Sequence, residues 1–374
     1  MGSGMSNITD YLTWRGDISL ACMPFNDADN LVLSLLAYIL FENIMTKDEK
    51  LTVKQAATIL NGRPNDFGVM KSDNVRLLSK MADGARFQNA AICHCVSEID
   101  TNEEKQFAAI TILLDDGTCF VAYRGTDNTL IGWKEDFNLS FISPVPAQTA
   151  SVRYLTGVAG QTARPLRIGG HSKGGNLAIY AASQCSQHIQ DRVVAVYSND
   201  GPGLDDATFT SDGYMRIRDR FYSFVPQSSI IGMLLQHQEN YAVVISHAIG
   251  LFQHNPYTWQ VNRDGFEIIG AIRPGSRYMD ATLKNWLSSV SMDERMIFVD
   301  TLFTVLSSTN ATTLQGLTMG WWKNAYVMLM KVKDIDSQTR KIIIGVLVEL
   351  VKAAMGIRSN ISPTALLPVE IDPH

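Results

Sequence analysis

Ser172 stands in Gly170-His171-Ser172-Lys173-Gly174, between a short apolar stretch, Leu166–Ile168, and a run of small and apolar residues from Asn176 to Ala182. G-x-S-x-G placed between a strand and a helix is the pattern of a serine held on a tight strand-to-helix turn. Side chains at the flanks of such a turn would collide. Gly170 and Gly174 remove them, and Gly169 and Gly175 widen the clearance. The hydroxyl is then presented above the end of a sheet, with the positive end of the helix aimed at it. The chemistry offered is nucleophilic attack on an acyl carbon. The plainer alternative is a glycine-rich turn that packs a helix on a sheet or binds an anion.

A serine hydroxyl needs a base to remove its proton, and the base needs a carboxylate to orient it. Of the seven histidines, His374 is terminal, His94 falls in an early strand, His171 adjoins the serine in a packing position, and His188 ends the helix after it. His237, His247 and His254 remain, all beyond the later strands, where a hydrolase keeps its base. The turn Asp200-Gly201-Pro202-Gly203 follows an apolar strand and offers a carboxylate, with Asp205, Asp206 and Asp219 as alternatives. Any of these three histidines gives, with Ser172 and Asp200, the chain order Ser, Asp, His of α/β-hydrolases.

The elements that must position these groups are legible in the periodicity. Residues 6–90 read mainly as helix: Asp29–Asn43 carries a wide apolar face, and Thr52–Leu60 and Asn74–Ala82 repeat helical spacing. From residue 90 the pattern turns strand-like, with Ala90–Val96, Phe107–Leu114 and Thr118–Tyr123, the last two joined by the hairpin signal Asp115-Asp116-Gly117. Leu166–Ile168, Val193–Tyr197, Arg220–Val225, Tyr241–Ser246 and a weaker Phe266–Ala271 follow, with helices between them. The expectation is a mixed, mostly parallel α/β sheet of about eight strands, covered on both faces. Residues 276–358 return to helix, and the tail from Ser359 is expected to be extended. The expected organisation is a helical segment over 5–89, a core over 90–275, a helical segment over 276–358 and a tail over 359–374.

At this point the residues resemble a known family. Val121-Ala122-Tyr123-Arg124-Gly125-Thr126-Asp127, with Trp133 and Asp136, resembles the oxyanion segment of the fungal-type class 3 lipases. Gly170–Gly174 is similar to their nucleophile elbow, and His254-Asn255-Pro256-Tyr257-Thr258-Trp259 to their catalytic-histidine segment. With Asn199–Gly203 and Val225–Ser229, the whole chain also resembles a bacterial lipase-like family of unknown function. The resemblance implies an α/β-hydrolase fold with helical N- and C-terminal additions, His254 as base, and an oxyanion hole from the N–H groups of Lys173 and Thr126, with the Thr126 hydroxyl as a third donor. One departure stands out. Class 3 lipases carry the acid before the turn after the later strand, where this chain has Tyr222-Ser223-Phe224-Val225-Pro226 and no carboxylate. Asp200, one strand earlier, is placed as in the pancreatic-type lipases. Lys173 departs from the usual Leu, and a buried lysine needs a partner, for which Glu135 and Asp136 are candidates.

The function expected is a serine hydrolase that cleaves carboxylic esters of a lipid or another acyl compound through an acyl-enzyme on Ser172. An acyltransferase or thioesterase on the same triad, and a hydrolase fold that binds without catalysis, are the alternatives. Ile230, Ile231, Met233 and Leu234 are either the wall of an acyl site or core.

Composition sets the bounds. The chain has 374 residues, 46% hydrophobic and 18% charged, with a net charge of -5, which gives no reason to expect nucleic acid as a partner. Met1-Gly2-Ser3-Gly4 before Met5 reads as a cloning remnant, and no secretory signal follows it. The apolar runs fall short of the roughly 18 residues that span a bilayer, so a cytoplasmic protein without a transmembrane segment is expected. Five cysteines form no disulfide framework. Cys93-His94-Cys95 suggests a metal, but no second cluster completes a ligand set; buried thiols are the expectation, with no metal and no cofactor. The sequence is silent on oligomeric state.

Overall fold

A computed structural model describes residues 6–100, 105–126, 139, 144–227, 229, 241–248 and 250–269. Four helices come first: α1 (Ile8–Arg15), α2 (Asp27–Leu36), α3 (Val53–Leu60) and α4 (Lys71–Asp83). Between them lies β1 (Lys50–Thr52). Then come β2 (Ala91–Asp100), β3 (Lys105–Leu113), β4 (Cys119–Tyr123), α5 (Pro146–Gln161), β5 (Leu166–His171) and α6 (Lys173–Gln184). The short helix α7 (Gln187–Gln190) leads to β6 (Val193–Asn199), and α8 (Asp206–Phe209) and α9 (Asp212–Ile217) to β7 (Phe221–Pro226). β8 (Tyr241–Val244) and β9 (Ile268–Ile269) close the sheet.

The nine strands lie in sequence order across one sheet. β1 to β4 pair antiparallel, β4 to β8 parallel, and β9 antiparallel to β8. Two expectations are corrected here. The described strands number nine rather than about eight, and the parallel pairings are half of the total rather than most of it. The added strand is β1, three residues that also supply the side-chain cap of α3; so short a run has no readable period. The segment expected to be helical over 276–358 and the tail lie outside the described residues.

Alternation on the strands decides the layers. Phe120 and Ala122 of β4 join Ile110 and Ile112 of β3 in a core with the N-terminal helices, while Cys119, Val121 and Tyr123 face the core under α5 and α6. The first core holds Ile8, Leu31, Leu35, Leu77 and Met81; the second holds Leu155, Leu177, Ala178 and Ala181. The N-terminal helices therefore form a full layer of the sandwich.

The apolar face of α2 predicts a helix to Asn43, but the helix ends at Leu36. The Arg124 guanidinium explains the early stop. It donates to the carbonyls of Ala37 and Ile39 and forks onto Glu42, 2.9 Å from each carboxylate oxygen. A group from β4's end thus takes the carbonyls that a longer helix would use, and Tyr38 leaves the helix toward the end of β5.

Candidate active site

Ser172 occupies the corner between β5 and α6 with φ 58° and ψ -134°, backbone that L side chains rarely adopt. The corner is possible because its neighbours lack side chains. A Cβ on Gly170 would overlap the Gly174 carbonyl, so strand and helix meet there backbone to backbone. The Ser172 N–H donates to the Asn199 carbonyl at 3.0 Å, which ties the corner to the end of β6.

The next residue of β6's end is Asp200, also left-handed at φ 52° and almost fully buried. Its N–H donates to Phe224 O at 2.7 Å. The turn behind it is held from α6: Asn176 Nδ2 donates to Gly203 O at 2.5 Å, and Gln148 Nε2 donates to Asn176 Oδ1 at 3.0 Å. From the opposite face, Asn199 and Asn30 of α2 exchange side-chain hydrogen bonds of 2.9 and 3.1 Å.

His254 ends a 3-10 turn, Gly250–His254, beyond β8. Its Nδ1 lies 2.7 Å from Asp200 Oδ2 and its Nε2 lies 2.9 Å from Ser172 Oγ. A carboxylate only accepts, so Nδ1 carries the proton and Nε2 accepts from the serine hydroxyl. The other Asp200 oxygen, Oδ1, accepts from the Ser229 hydroxyl. Trp259, fully buried, holds the turn from below by donating from Nε1 to Gln253 O at 2.8 Å.

The alternatives lie elsewhere. His247 is exposed, and its N–H donates to Thr258 O. Asp205 caps α8 through Thr208, Asp206 is exposed, and Asp219 is exposed beside Arg218. His237 lies outside the described residues.

The segment read as an oxyanion loop is next to the serine. A Cβ on Gly125 would lie 3.1 Å from Ser172 Cβ and 2.5 Å from His171 O. Thr126 follows, buried. Lys173 opens α6, and the N–H groups of a helix's first turn are not used by the helix itself. Its buried side chain reaches back to β3, where Nζ donates to Gln106 O at 3.0 Å. Glu135 and Asp136, the suggested partners, lie outside the described residues, as do Ile230, Ile231, Met233 and Leu234.

The contacts that two residues make at the site were not read in the sequence. Ser229 stands in the Val225–Ser229 stretch, but nothing there announced its bond to Asp200. His171 was assigned to packing, and the structure corrects that: it is buried, but both ring nitrogens are engaged, Nδ1 with Tyr38 Oη at 2.9 Å and Nε2 with the His254 carbonyl at 2.8 Å. Burial first, then the neighbouring His254, holds its pKa well below the usual histidine range.

Among the described residues no group of three or more His, Cys, Asp or Glu side chains is placed to hold a metal ion, and no helix is long and apolar enough to cross a membrane. All five cysteines are free; Cys22 is exposed and the other four are buried. His94 sits at a bulge of β2 with φ 52°.

The strand–serine–helix corner on a mixed sheet, with helices on both faces, is the arrangement of an α/β-hydrolase-type fold. The chain belongs to the Mbeg1-like family, whose model matches residues 81–304. No curated protein matches it. Among solved structures it is similar to a Rhizomucor miehei lipase in complex with its propeptide (15% identity, 64% of this chain and 73% of that one, TM-score 0.36). It is also similar to lipase II from Rhizopus niveus (14% identity, 63% and 86%, TM-score 0.36) and to a lipase from Rhizopus microsporus var. chinensis (14% identity, 62% and 86%, TM-score 0.33).

Proposed function

We propose that the protein is a serine hydrolase that cleaves carboxylic esters of an acyl or lipid compound, with Ser172 as nucleophile, His254 as base and Asp200 as acid. The observation that carries this reading is the unbroken line Ser172 Oγ, His254 Nε2, His254 Nδ1, Asp200 Oδ2, with contacts of 2.9 and 2.7 Å, on a serine held at a left-handed corner. In this reading Ser172 Oγ attacks the ester carbonyl while its proton passes to His254 Nε2. Asp200 stabilises the imidazolium without taking its proton. The tetrahedral oxyanion faces the N–H groups of Lys173 and Thr126, donors of a kind that contribute about 3 kcal/mol each. Collapse breaks the ester C–O bond, and His254 gives its proton to the leaving alkoxide. Water, deprotonated by His254, then attacks the acyl-serine and releases the acid and Ser172.

A fluorophosphonate probe and a series of p-nitrophenyl esters from acetate to palmitate test the reading. The protein is expected to be labelled on Ser172 and to turn over at least one ester. Ser172→Ala is expected to lose both while melting at the wild-type temperature. A wild-type protein that is folded but neither labelled nor active would leave a hydrolase fold that binds without catalysis.

A further inference from the structure

We propose that Tyr38 and His171 are a positioning pair that fixes the main chain of His254, so that the N-terminal helical layer sets where the base stands. The proposal rests on the hydrolase reading and deepens it at the same site.

A triad base needs its ring fixed at both ends, by its carboxylate and by its own backbone. Asp200 serves the first end. The second is less secure by construction, because His254 ends a five-residue 3-10 turn, a conformation with poorer hydrogen-bond geometry than an α-helix. The His254 carbonyl is where His171 acts, with Nε2 at 2.8 Å. A carbonyl oxygen only accepts, so Nε2 of His171 carries a hydrogen. Nδ1 is then an acceptor, and the group facing it at 2.9 Å is the Tyr38 hydroxyl, which donates. The direction of both bonds follows from the carbonyl alone: Tyr38 O–H to His171 Nδ1, and His171 Nε2–H to His254 O.

Three further observations point the same way. The two imidazoles lie against each other with centroids 4.7 Å apart, so His171 also limits the tilt of the base. His171 is buried and neutral, so it brings no positive charge beside the imidazolium that forms during catalysis. Tyr38 is available only because α2 ends at Leu36, where Arg124 takes the carbonyls that follow. Arg124 adjoins Gly125 and Thr126, so the link that turns Tyr38 toward His171 also holds the segment beside Ser172.

His171 touches no substrate in this arrangement and acts through His254. Misplacing a catalytic group by about 1 Å costs on the order of 100-fold. His171→Leu is therefore expected to lower kcat on a p-nitrophenyl ester by about 10- to 100-fold, with KM within about twofold. His171→Gln keeps an amide N–H for the carbonyl and an oxygen for the Tyr38 hydroxyl, and is expected to return kcat to within about threefold of wild type. Tyr38→Phe keeps the ring and removes the donor, and is expected to cost about 3- to 10-fold in kcat. The same order should appear in the rate of Ser172 labelling by a fluorophosphonate, measured on protein whose melting curve shows a cooperative transition. A folded His171→Leu or Tyr38→Phe that keeps wild-type kcat and labelling rate overturns the proposal and leaves the hydrolase reading standing. So does a His171→Gln as slow as His171→Leu, since filling alone would then explain both. A wild-type protein that resists labelling overturns the hydrolase reading and the proposal with it.

Discussion

Two side chains of the proposed triad stand on left-handed backbone, Ser172 at φ 58° and Asp200 at φ 52°. Such positions cost about 1–3 kcal/mol each and persist only where their surroundings over-determine them. The surroundings here are the main-chain bonds from Ser172 to Asn199 and from Asp200 to Phe224. The place of Asp200 beside His254 was readable, because a carboxylate in an Asp-Gly-Pro-Gly turn after a strand is held in a defined bend. Its support was not, because Ser229 lies 29 residues away with no spacing to announce it. The two roles separate experimentally. Asparagine tolerates left-handed backbone well, so Asp200→Asn should melt near the wild-type temperature. It cannot stabilise the imidazolium, and turnover is expected to fall by about 10³- to 10⁴-fold. Ser229→Ala leaves the carboxylate in place but removes one donor to it, and a fall of about 3- to 10-fold is expected. Equal losses in the two variants would mean that Ser229 holds the whole turn rather than one oxygen.

At the scale of elements, strands were easier to read than helix ends. Each of the eight expected strands overlaps a strand of the sheet, since short apolar and β-branched runs bounded by turn residues mark strands buried on both faces. Helix α2 is shorter than its pattern, because its end is set by Arg124, nearly 90 residues further along the chain. Long-range contacts of that kind leave no local trace. The Gly125 position is a second case. Read alone, it is a glycine in a loop after β4. In the structure a Cβ there would overlap the Tyr38 hydroxyl and press on His171 O and Ser172 Cβ at 2.5 and 3.1 Å. Three elements meet at a point where only hydrogen fits. Gly125→Ala is therefore expected to lower kcat by at least about 100-fold, by moving the serine corner or Tyr38. The check is turnover alongside a melting curve. An alanine variant with wild-type turnover would show that the corner has room to give.

At the scale of the whole molecule, the site hangs from both layers, and stability should report it. His171 is neutral and buried, so its folded pKa lies below the unfolded value of about 6.5. The unfolded chain then binds the proton first as pH falls. The stability that neutral His171 permits is full above about pH 6.5 and is lost as pH falls from there toward the folded pKa, at up to about 1.4 kcal/mol per pH unit. Urea unfolding at pH 7.5 and 5.5 is expected to show this loss in the wild type and less of it in His171→Gln.

The N-terminal layer is itself pinned at one place. Arg86, after α4, and Asp29, in the first turn of α2, are both fully buried. Arg86 Nε donates to Asp29 Oδ1 at 2.7 Å, and a second bond joins Nη2 to Oδ2. The remaining guanidinium hydrogens go to the carbonyls of Ile18, Met23 and Pro24, and Tyr11 of α1 donates to Asp29 Oδ1 at 2.8 Å. One ion pair thus joins α1, α2, the loop between them and the end of α4. Asp29 also accepts from the Asn26 N–H, so it caps α2. A buried pair contributes little net stability against an apolar pair of the same shape, but removing one partner strands the other charge. Arg86→Met fills much of the volume and removes the charge, leaving Asp29 buried with Tyr11 and its cap alone. Unfolding free energy is expected to fall by about 3–5 kcal/mol, measured by urea titration. α2 carries Asn30 and leads into Tyr38, so the loss should reach the site as well. Activity in the variant should therefore disappear at a lower temperature, in step with its own melting curve. At a temperature where the variant is fully folded, kcat should stay within about twofold of wild type, because the bonds around Ser172 are unchanged. A variant that melts as the wild type does would show that these helices are held by their apolar faces alone.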